Sequence, residues 1–90
     1  MRAIHLKISG KVQGVFFRKH TRAKALELRL TGTVQNCQDG SVEVFAEGEE
    51  QSLSEFVQWC HHGPSRAEVQ KVDIHETALK NIIDFVILRG

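Results

Sequence analysis

The spacing of apolar residues divides the first half of the chain into a strand, a helix and a hairpin. Residues 3–9 alternate apolar and polar positions, which is the period of a half-buried strand. From about residue 16 to 29 the apolar positions recur at helical spacing, and one stripe is formed by Phe17, Thr21, Ala25 and Leu28. Two shorter alternating segments, 31–36 and 41–46, flank an Asp-Gly turn signal at 39–40, which predicts a β-hairpin.

The second half of the chain predicts one further helix and two strands. The helix begins near Glu49 and ends at Gly63-Pro64, and its apolar stripe consists of Leu53, Phe56, Val57 and Cys60. Acidic residues 47, 49 and 50 gather near its positive end, as the helix macrodipole favours. Strands are predicted at 66–74 and 82–88.

The order of these elements predicts an α+β fold in a single domain over residues 1–90. Strand, helix, strand, strand, helix and strand, followed by a short terminal strand, is the split βαβ arrangement of a ferredoxin-like two-layer sandwich. We expect an antiparallel sheet with both helices on one face. Ninety residues with 41% hydrophobic content suit one core and leave no room for a second.

Composition argues against several classes of function. A net charge of +1 disfavours a dedicated nucleic-acid binder. An RNA-recognition module on the same sandwich would need exposed aromatic residues for base stacking, yet the chain has no Tyr, and Phe45 is the only aromatic residue in the predicted hairpin. The absence of a long apolar run or leader pattern predicts a cytoplasmic protein without membrane contact, and the balanced surface predicts a monomer. Cys37 and Cys60 lack Cys-x-x-Cys spacing, which favours free thiols over a disulfide or a catalytic pair.

The start of the first helix breaks the usual rules for a helix N-terminus. Residues 10–18 (GKVQGVFFR) supply neither a Ser, Thr, Asp or Asn cap nor a carboxylate, and they place the cation Arg18 where the dipole is already positive. An anion held by loop N–H groups and Arg18 would complete this arrangement, as in a phosphate cradle. A glycine-containing turn wetted by solvent explains the same residues equally well. The charge distribution is compatible with the first interpretation, because residues 11–29 hold six Lys or Arg against one acid, whereas 39–55 hold six acids and no base. Solvated faces of ordinary helices and strands explain this distribution at least as well.

Polar residues near this loop offer recognition groups for a phosphate. Gly10 and Gly14 permit positive φ or close backbone approach, Arg18 offers a planar fork to two phosphoryl oxygens, and Asn36 offers one acceptor and two donors. The glycines are followed by neither the Lys-Ser/Thr of a nucleotide P-loop nor a Gly-x-Gly-x-x-Gly fingerprint. The adjacent histidines 61 and 62 point about 100° apart on a helix, so a shared metal ion is disfavoured. We expect no metal and no cofactor.

Several segments closely resemble the acylphosphatases. These are 10–18 (GKVQGVFFR), 32–36 (GTVQN), 39–43 (DGSVE) and 46–48 (AEG), supported by Gly63-Pro64, Val69-x-x-Val72 and Phe85-x-Ile87. The resemblance implies hydrolysis of a small-molecule acyl phosphate to a carboxylate and inorganic phosphate. It also implies site roles: the loop binds the phosphoryl group, Arg18 clamps it, and Asn36 orients the attacking water. The cradle implied by the resemblance consists of Val12, Gln13, Gly14, Val15, Phe16, Phe17 and Arg18.

The chemistry of acyl phosphates is compatible with so sparse a site. The leaving carboxylate has a conjugate acid of pKa about 4, so it needs no general acid at neutral pH. Positioning and charge stabilisation can then supply most of the catalysis. The alternative is a non-catalytic phosphate-binding module of the same fold. Thr21 is interpreted as a packing residue in preference to a second residue that orders the attacking water. Cys37 lies beside Asn36 and need not contact substrate, because adjacent strand residues face opposite ways.

Overall fold

The computed structural model describes residues 1–89 and confirms the predicted order of elements. The segments are β1 (Arg2–Lys11), α1 (Phe17–Glu27), β2 (Thr31–Asn36), β3 (Val42–Gly48), α2 (Glu50–His62), β4 (Glu68–Thr77) and β5 (Phe85–Leu88). The apolar periodicity therefore located both helices and all five strands, although β4 and β5 begin a few residues later than predicted. None of the helices within residues 1–89 has the length and apolar character needed to cross a bilayer.

The five strands form one sheet in the order β4-β1-β3-β2-β5. The pairs β1–β3, β1–β4 and β2–β3 are antiparallel, as expected. The last strand departs from that expectation, because β5 lies parallel to β2 with Val34 opposite Ile87. The sheet is consequently mixed, and β1, β2 and β5 all run in the same direction. Their C-terminal ends meet at a single end of the sheet.

The core lies between the sheet and the two helices, which pack on one face. Alternate strand residues such as Leu6, Ile8, Val34 and Val44 are fully buried there. The predicted helical stripes meet them: Phe17, Thr21 and Ala25 of α1 and Leu53, Phe56 and Cys60 of α2 are buried. Aromatic contacts tie the layers together, with the Phe56 and Phe85 ring centroids 6.4 Å apart. This packing fixes the position of α1 relative to the ends of β2 and β5.

Glu47 has a different role from the one predicted by helix-dipole arguments. Its side chain is buried, and its carboxylate accepts hydrogen bonds from the backbone N–H groups of Lys80, Asn81 and Ile82 at 2.7, 3.1 and 2.8 Å. Only Glu50 provides an acid in the first turn of α2. Glu47 therefore anchors the connection between β4 and β5, a contact between residues more than thirty positions apart that local patterning does not reveal.

Candidate active site

A cleft of about 430 Å³ opens at the end of the sheet where β1, β2 and β5 terminate. The loop after β1 and the start of α1 form one wall, Asn36 at the end of β2 lies opposite, and the end of β5 completes the lining. The lining residues are Val12, Gly14, Phe16, Phe17, Arg18, Lys19, Asn36, Ile87 and Arg89. The structure thus brings Arg18 and Asn36 to one cleft, as the sequence predicts.

The loop between β1 and α1 exposes a run of unpaired backbone donors. Within residues 1–89, the N–H groups of 13–19 have no hydrogen-bond acceptor, and the first one in this segment to find a partner is that of His20, to the Phe16 carbonyl at 3.1 Å. Gly14 (φ 75°) and Phe16 (φ 61°) both adopt left-handed backbone conformations. Such turns direct successive N–H groups into one concavity, which binds anions. The α1 macrodipole adds positive potential at the same place.

Buried side chains anchor this loop to the core, and its backbone N–H groups remain free of protein acceptors in the described part of the chain. Val12, Val15 and Phe17 are 1%, 6% and 2% exposed and belong to the core. Phe16, in contrast, is 67% exposed and serves as the N-cap of α1 without a capping side-chain bond. A positive φ is unusual for a bulky residue, so the loop conformation is imposed by the buried neighbours of Phe16.

The two glycines of the motif have different functions. Gly14 has no atom within 4 Å of the position a Cβ would take, so it supplies a positive φ beside open space for a ligand. Gly10 (φ 128°) lies at a β-bulge, where an added Cβ would be 2.2 Å from the Glu68 carbonyl oxygen. The requirement for glycine at position 10 therefore comes from the approach of β4, and not from the cleft.

Arg18 is an uncommitted cation in the first turn of α1. Arg22, one turn later, donates to the Phe85 carbonyl at 2.9 Å, and Lys24 pairs with Glu27 at 2.9 Å. The Arg18 guanidinium makes no hydrogen bond and no ion pair with any group in the described part of the chain. Its planar fork is therefore available to an anion in the cleft.

Asn36 is the last residue of β2 and lies opposite Val42 in the register with β3. Its amide has no hydrogen-bond partner among residues 1–89, and it remains partly exposed in the cleft wall. An amide in this position can accept a hydrogen bond from one group and donate to another.

Two of the seven predicted cradle residues, Gln13 and Val15, are not among the residues that line the cleft. Val15 is buried in the core. Gln13 points to the turn between β2 and β3, where its Nε2 donates to the carbonyl oxygens of Cys37 and Ser41 at 2.8 and 2.9 Å. These two residues can contribute to an anion site only through their backbone N–H groups.

The sequence reasoning missed three residues of the cleft, Lys19, Ile87 and Arg89. Lys19 directly follows Arg18, and its helical position was the available signal. Ile87 and Arg89 reach the cleft because β5 pairs parallel to β2, with Gln35 opposite Leu88. An expected antiparallel partner would have carried them to the far end of the sheet. Three cations and no acid line the cleft, which favours an anionic ligand.

Thr21 and Cys37 lie outside the cleft lining. Thr21 is fully buried, and its Oγ1 donates to the Phe17 carbonyl at 2.7 Å, which supports a packing role. Cys37 is partly buried, and this burial raises the pKa of its thiol above the ordinary value. A protonated thiol is a poor nucleophile at neutral pH, which argues against a catalytic role for Cys37.

Comparison with known proteins agrees with the fold and with the motifs. A family model described as acylphosphatase matches residues 4–87. A protein named acylphosphatase from Marinobacter nauticus is 51% identical over 82 residues, which cover 90% of this chain and 89% of the relative. The chain therefore belongs to the acylphosphatase family.

Solved structures of relatives superpose closely on this fold. The crystal structure of acylphosphatase from Bacillus subtilis matches with a TM-score of 0.96 and 33% identity, covering 99% of this chain and 100% of the other. The structure of an acylphosphatase from Coxiella burnetii matches with a TM-score of 0.94 and 44% identity, covering 97% and 92%. The two-layer sandwich is thus shared over essentially the whole chain.

Proposed function

We propose that this protein hydrolyses acyl phosphates by direct attack of water, with the phosphoryl group bound at the start of α1. The reaction class follows from membership in the acylphosphatase family. In the proposed complex, phosphoryl oxygens accept hydrogen bonds from loop N–H groups of residues 13–19 and from the guanidinium of Arg18. Asn36 orients the attacking water.

One observation carries this proposal: a run of backbone N–H groups without acceptors lies beside a guanidinium without a counterion. Free N–H groups and unpaired cations are costly to hold together unless an anion joins them. A tetrahedral dianion with three terminal oxygens has enough acceptors to satisfy both. The donors also face charge that develops on the phosphoryl oxygens during transfer, which is where preorganised dipoles accelerate a reaction.

Asn36 is suited to hold the nucleophile because its amide combines both hydrogen-bonding functions. The carbonyl oxygen can accept a hydrogen bond from water, and the NH₂ can donate to a phosphoryl oxygen, which fixes the angle between them. The water oxygen forms a bond to phosphorus while the bond from phosphorus to the carboxyl oxygen breaks. The bonding pair leaves with the carboxylate, and the proton lost by the water passes to solvent or to the phosphate product. No general acid is required, because the carboxylate is already a good leaving group.

We also propose a cytoplasmic monomer that acts on small molecules and not on nucleic acid. The free cysteines Cys37 and Cys60 support a reducing compartment. The core is complete within one chain, which supports a monomer. Light scattering of the purified protein tests the monomer directly, and a mass of twice 10.2 kDa would contradict it.

The activity test compares the wild type with Arg18→Ala and Asn36→Ala on benzoyl phosphate in the presence of EDTA. Loss of a well-placed transition-state donor should lower turnover about 100- to 1000-fold in each variant. Lys24→Ala is a matched control, because it removes a cation of the same helix that lies away from the cleft. Circular dichroism of each variant checks that the fold is retained.

The possible outcomes separate the enzyme from a binding module. Chelator-insensitive hydrolysis that both substitutions remove would support the proposed roles. Near-full turnover in either variant would refute the role of that residue. Hydrolysis by the wild type no faster than by the variants, together with measurable phosphate binding, would instead identify a non-catalytic phosphate-binding domain.

A further inference from the structure

Gln13 connects two parts of the candidate site that no other hydrogen bond within residues 1–89 joins. It lies in the loop after β1, and its Nε2 donates to the Cys37 carbonyl at 2.8 Å and to the Ser41 carbonyl at 2.9 Å. Both partners are carbonyl oxygens, which can only accept, so the NH₂ end of the amide must face them. Both amide hydrogens are therefore used.

The Gln13 hydrogen bonds join segments that follow two strands which are not paired with each other. β1 and β2 are not neighbours, because β3 lies between them and pairs Val42 with both Ile8 and Asn36. Strand pairing therefore fixes β1 and β2 only through β3, and it ends at Val42. Beyond this last pair, the loop between β1 and α1 and the turn between β2 and β3 protrude from the end of the sheet, and Gln13 bridges them.

The turn that Gln13 binds is itself well ordered. The Cys37 N–H donates to the Ser41 carbonyl at 2.9 Å, and the Gly40 N–H donates to the Cys37 carbonyl at 3.1 Å. Asp39 accepts from the Ser41 N–H and hydroxyl and pairs with Lys7 at 2.8 Å. Because Cys37 directly follows Asn36, a displacement of this turn would move Asn36 with it.

We infer that Gln13 is a positioning residue that sets the distance between the phosphate cradle and the Asn36 amide. This inference rests on the proposed function. The cradle belongs to the β1–α1 segment, whereas the water-orienting amide belongs to the β2–β3 hairpin. In-line attack therefore requires a fixed distance and angle between these two segments. A misplacement of about 1 Å can cost around 100-fold in rate, although phosphate binding itself needs only the cradle.

The test is Gln13→Met, which keeps the length of the side chain and removes both donors. We expect kcat on benzoyl phosphate to fall about 10- to 100-fold, whereas the inhibition constant of inorganic phosphate should change less than about threefold. Gln38→Met is the matched control, since Gln38 is exposed in the same turn and its side chain makes no hydrogen bond within the described residues. Thermal unfolding of both variants reports any general loss of structure.

A double variant separates positioning from a merely structural role. If Gln13 acts through Asn36, then Gln13→Met combined with Asn36→Ala should turn over no more slowly than Asn36→Ala alone. Gln13→Glu provides a second route should Gln13→Met fail to fold. A protonated carboxyl regains one donor, so the ratio of its kcat to that of wild type should rise as the pH is lowered from 7 to 5.

The outcomes distinguish the inference from the function on which it rests. Full turnover in Gln13→Met, multiplicative losses in the double variant, or equal losses of turnover and phosphate affinity would each overturn the positioning role while leaving the enzyme intact. Absence of hydrolysis by the wild type would overturn the proposed function, and the positioning role of Gln13 with it.

Discussion

Two loops of this protein present consecutive backbone N–H groups, and they differ in whether the protein itself supplies an anionic acceptor. In the loop before β5, the N–H groups of residues 80–82 donate to the buried carboxylate of Glu47. In the loop before α1, the N–H groups of residues 13–19 have no acceptor within the described chain. Each loop contains one non-glycine residue with positive φ, Asn81 at 57° and Phe16 at 61°.

The difference separates a loop whose donors are satisfied by the fold from a candidate anion site. Glu47 comes from the same chain, so the loop at 80–82 is satisfied once the protein folds. Asn tolerates the left-handed conformation, whereas for Phe it costs roughly 1–2 kcal/mol. The loop before α1 therefore keeps both free donors and backbone strain in the folded state. In the proposed complex, an external phosphoryl group satisfies those donors.

Arg18→Glu makes the loop before α1 resemble the loop before β5, because it supplies a carboxylate from the same chain. It should have the largest effect. The new carboxylate would lie in the first turn of α1, compete for the N–H groups and repel the phosphoryl group. We expect kcat/KM on benzoyl phosphate to fall about 1000-fold or more. The free energy of unfolding should rise by about 0.3–1 kcal/mol relative to Arg18→Ala, because the acid opposes the helix dipole. Steady-state kinetics and urea denaturation measure the two quantities.

Glu50→Ala at the start of α2 is the control for Arg18→Glu. It removes an acid from the first turn of the other helix and should lower stability slightly without changing turnover. A less stable Arg18→Glu than Arg18→Ala would show that the start of α1 has no need of negative charge, and the comparison of the two loops would fail.

Glu47→Gln replaces the internal carboxylate with a neutral amide. It should have the next largest effect, a loss of stability. Burial alone would raise the pKa of Glu47, but three backbone donors outweigh it and hold the pKa below its usual value. The substitution should lower the free energy of unfolding at pH 7 by about 1–3 kcal/mol. Turnover should be unchanged, because residues 80–82 do not line the cleft. Urea denaturation and the benzoyl phosphate assay test both statements.

The same substitution should alter the pH dependence of stability. A carboxyl with a lowered pKa stabilises the folded state fully above its unfolded pKa of about 4.3, and this contribution disappears as the pH falls through the folded value. The difference between wild type and Glu47→Gln should therefore shrink between about pH 5 and 3. Glu49→Gln, at the exposed N-cap of α2, is the matched control because it removes a neighbouring carboxylate that accepts no hydrogen bond from residues 80–82. Parallel curves for Glu47→Gln and wild type would refute an ionised Glu47 as the anchor.

Local patterning was sufficient to predict most of the fold. The helical stripe from Phe17 to Ala25 and the alternation from Ala3 to Ser9 record which face of each element is buried, so they reveal the order of elements directly. The parallel pairing of β5 could not be obtained in this way. Nothing within Phe85–Leu88 distinguishes a parallel from an antiparallel neighbour. The direction of β5 depends on how the connection from β4, at one edge of the sheet, reaches the opposite edge.

The site was predictable to the extent that it violates local rules. A cation and two phenylalanines at a helix start signalled the candidate cradle. The residues themselves offered Asn36 as a recognition group, and the resemblance to acylphosphatases added its expected role of orienting the water. The contacts of Gln13 and Glu47 join residues 24 to 35 positions apart and leave no local trace. In the case of Glu47, dipole reasoning predicted a helix-end carboxylate, but the side chain is buried and three consecutive backbone N–H groups of residues 80–82 donate to it.

Phe16→Gly should have the smallest effect and tests whether the loop before α1 stores strain. Relief of the left-handed conformation gains roughly 1–2 kcal/mol, and the added freedom of glycine in the unfolded chain costs about 0.5–1 kcal/mol. The glycine variant should therefore be about 0.5–1 kcal/mol more stable than Phe16→Ala, which removes the ring but keeps the strain. Urea denaturation of the two variants measures this difference.

The ring of Phe16 is 67% exposed, so its loss should affect packing little, and the comparison of glycine with alanine cancels that loss. Inorganic phosphate should bind a few-fold more weakly to Phe16→Gly, because a looser loop must be ordered before its N–H groups converge on the anion. If the glycine variant were instead less stable than the alanine variant, the backbone at position 16 would be unstrained. The loops at 13–19 and 80–82 would then differ only in the anion that fills them, and the selectivity of the cleft would come from Arg18 and its free N–H groups alone.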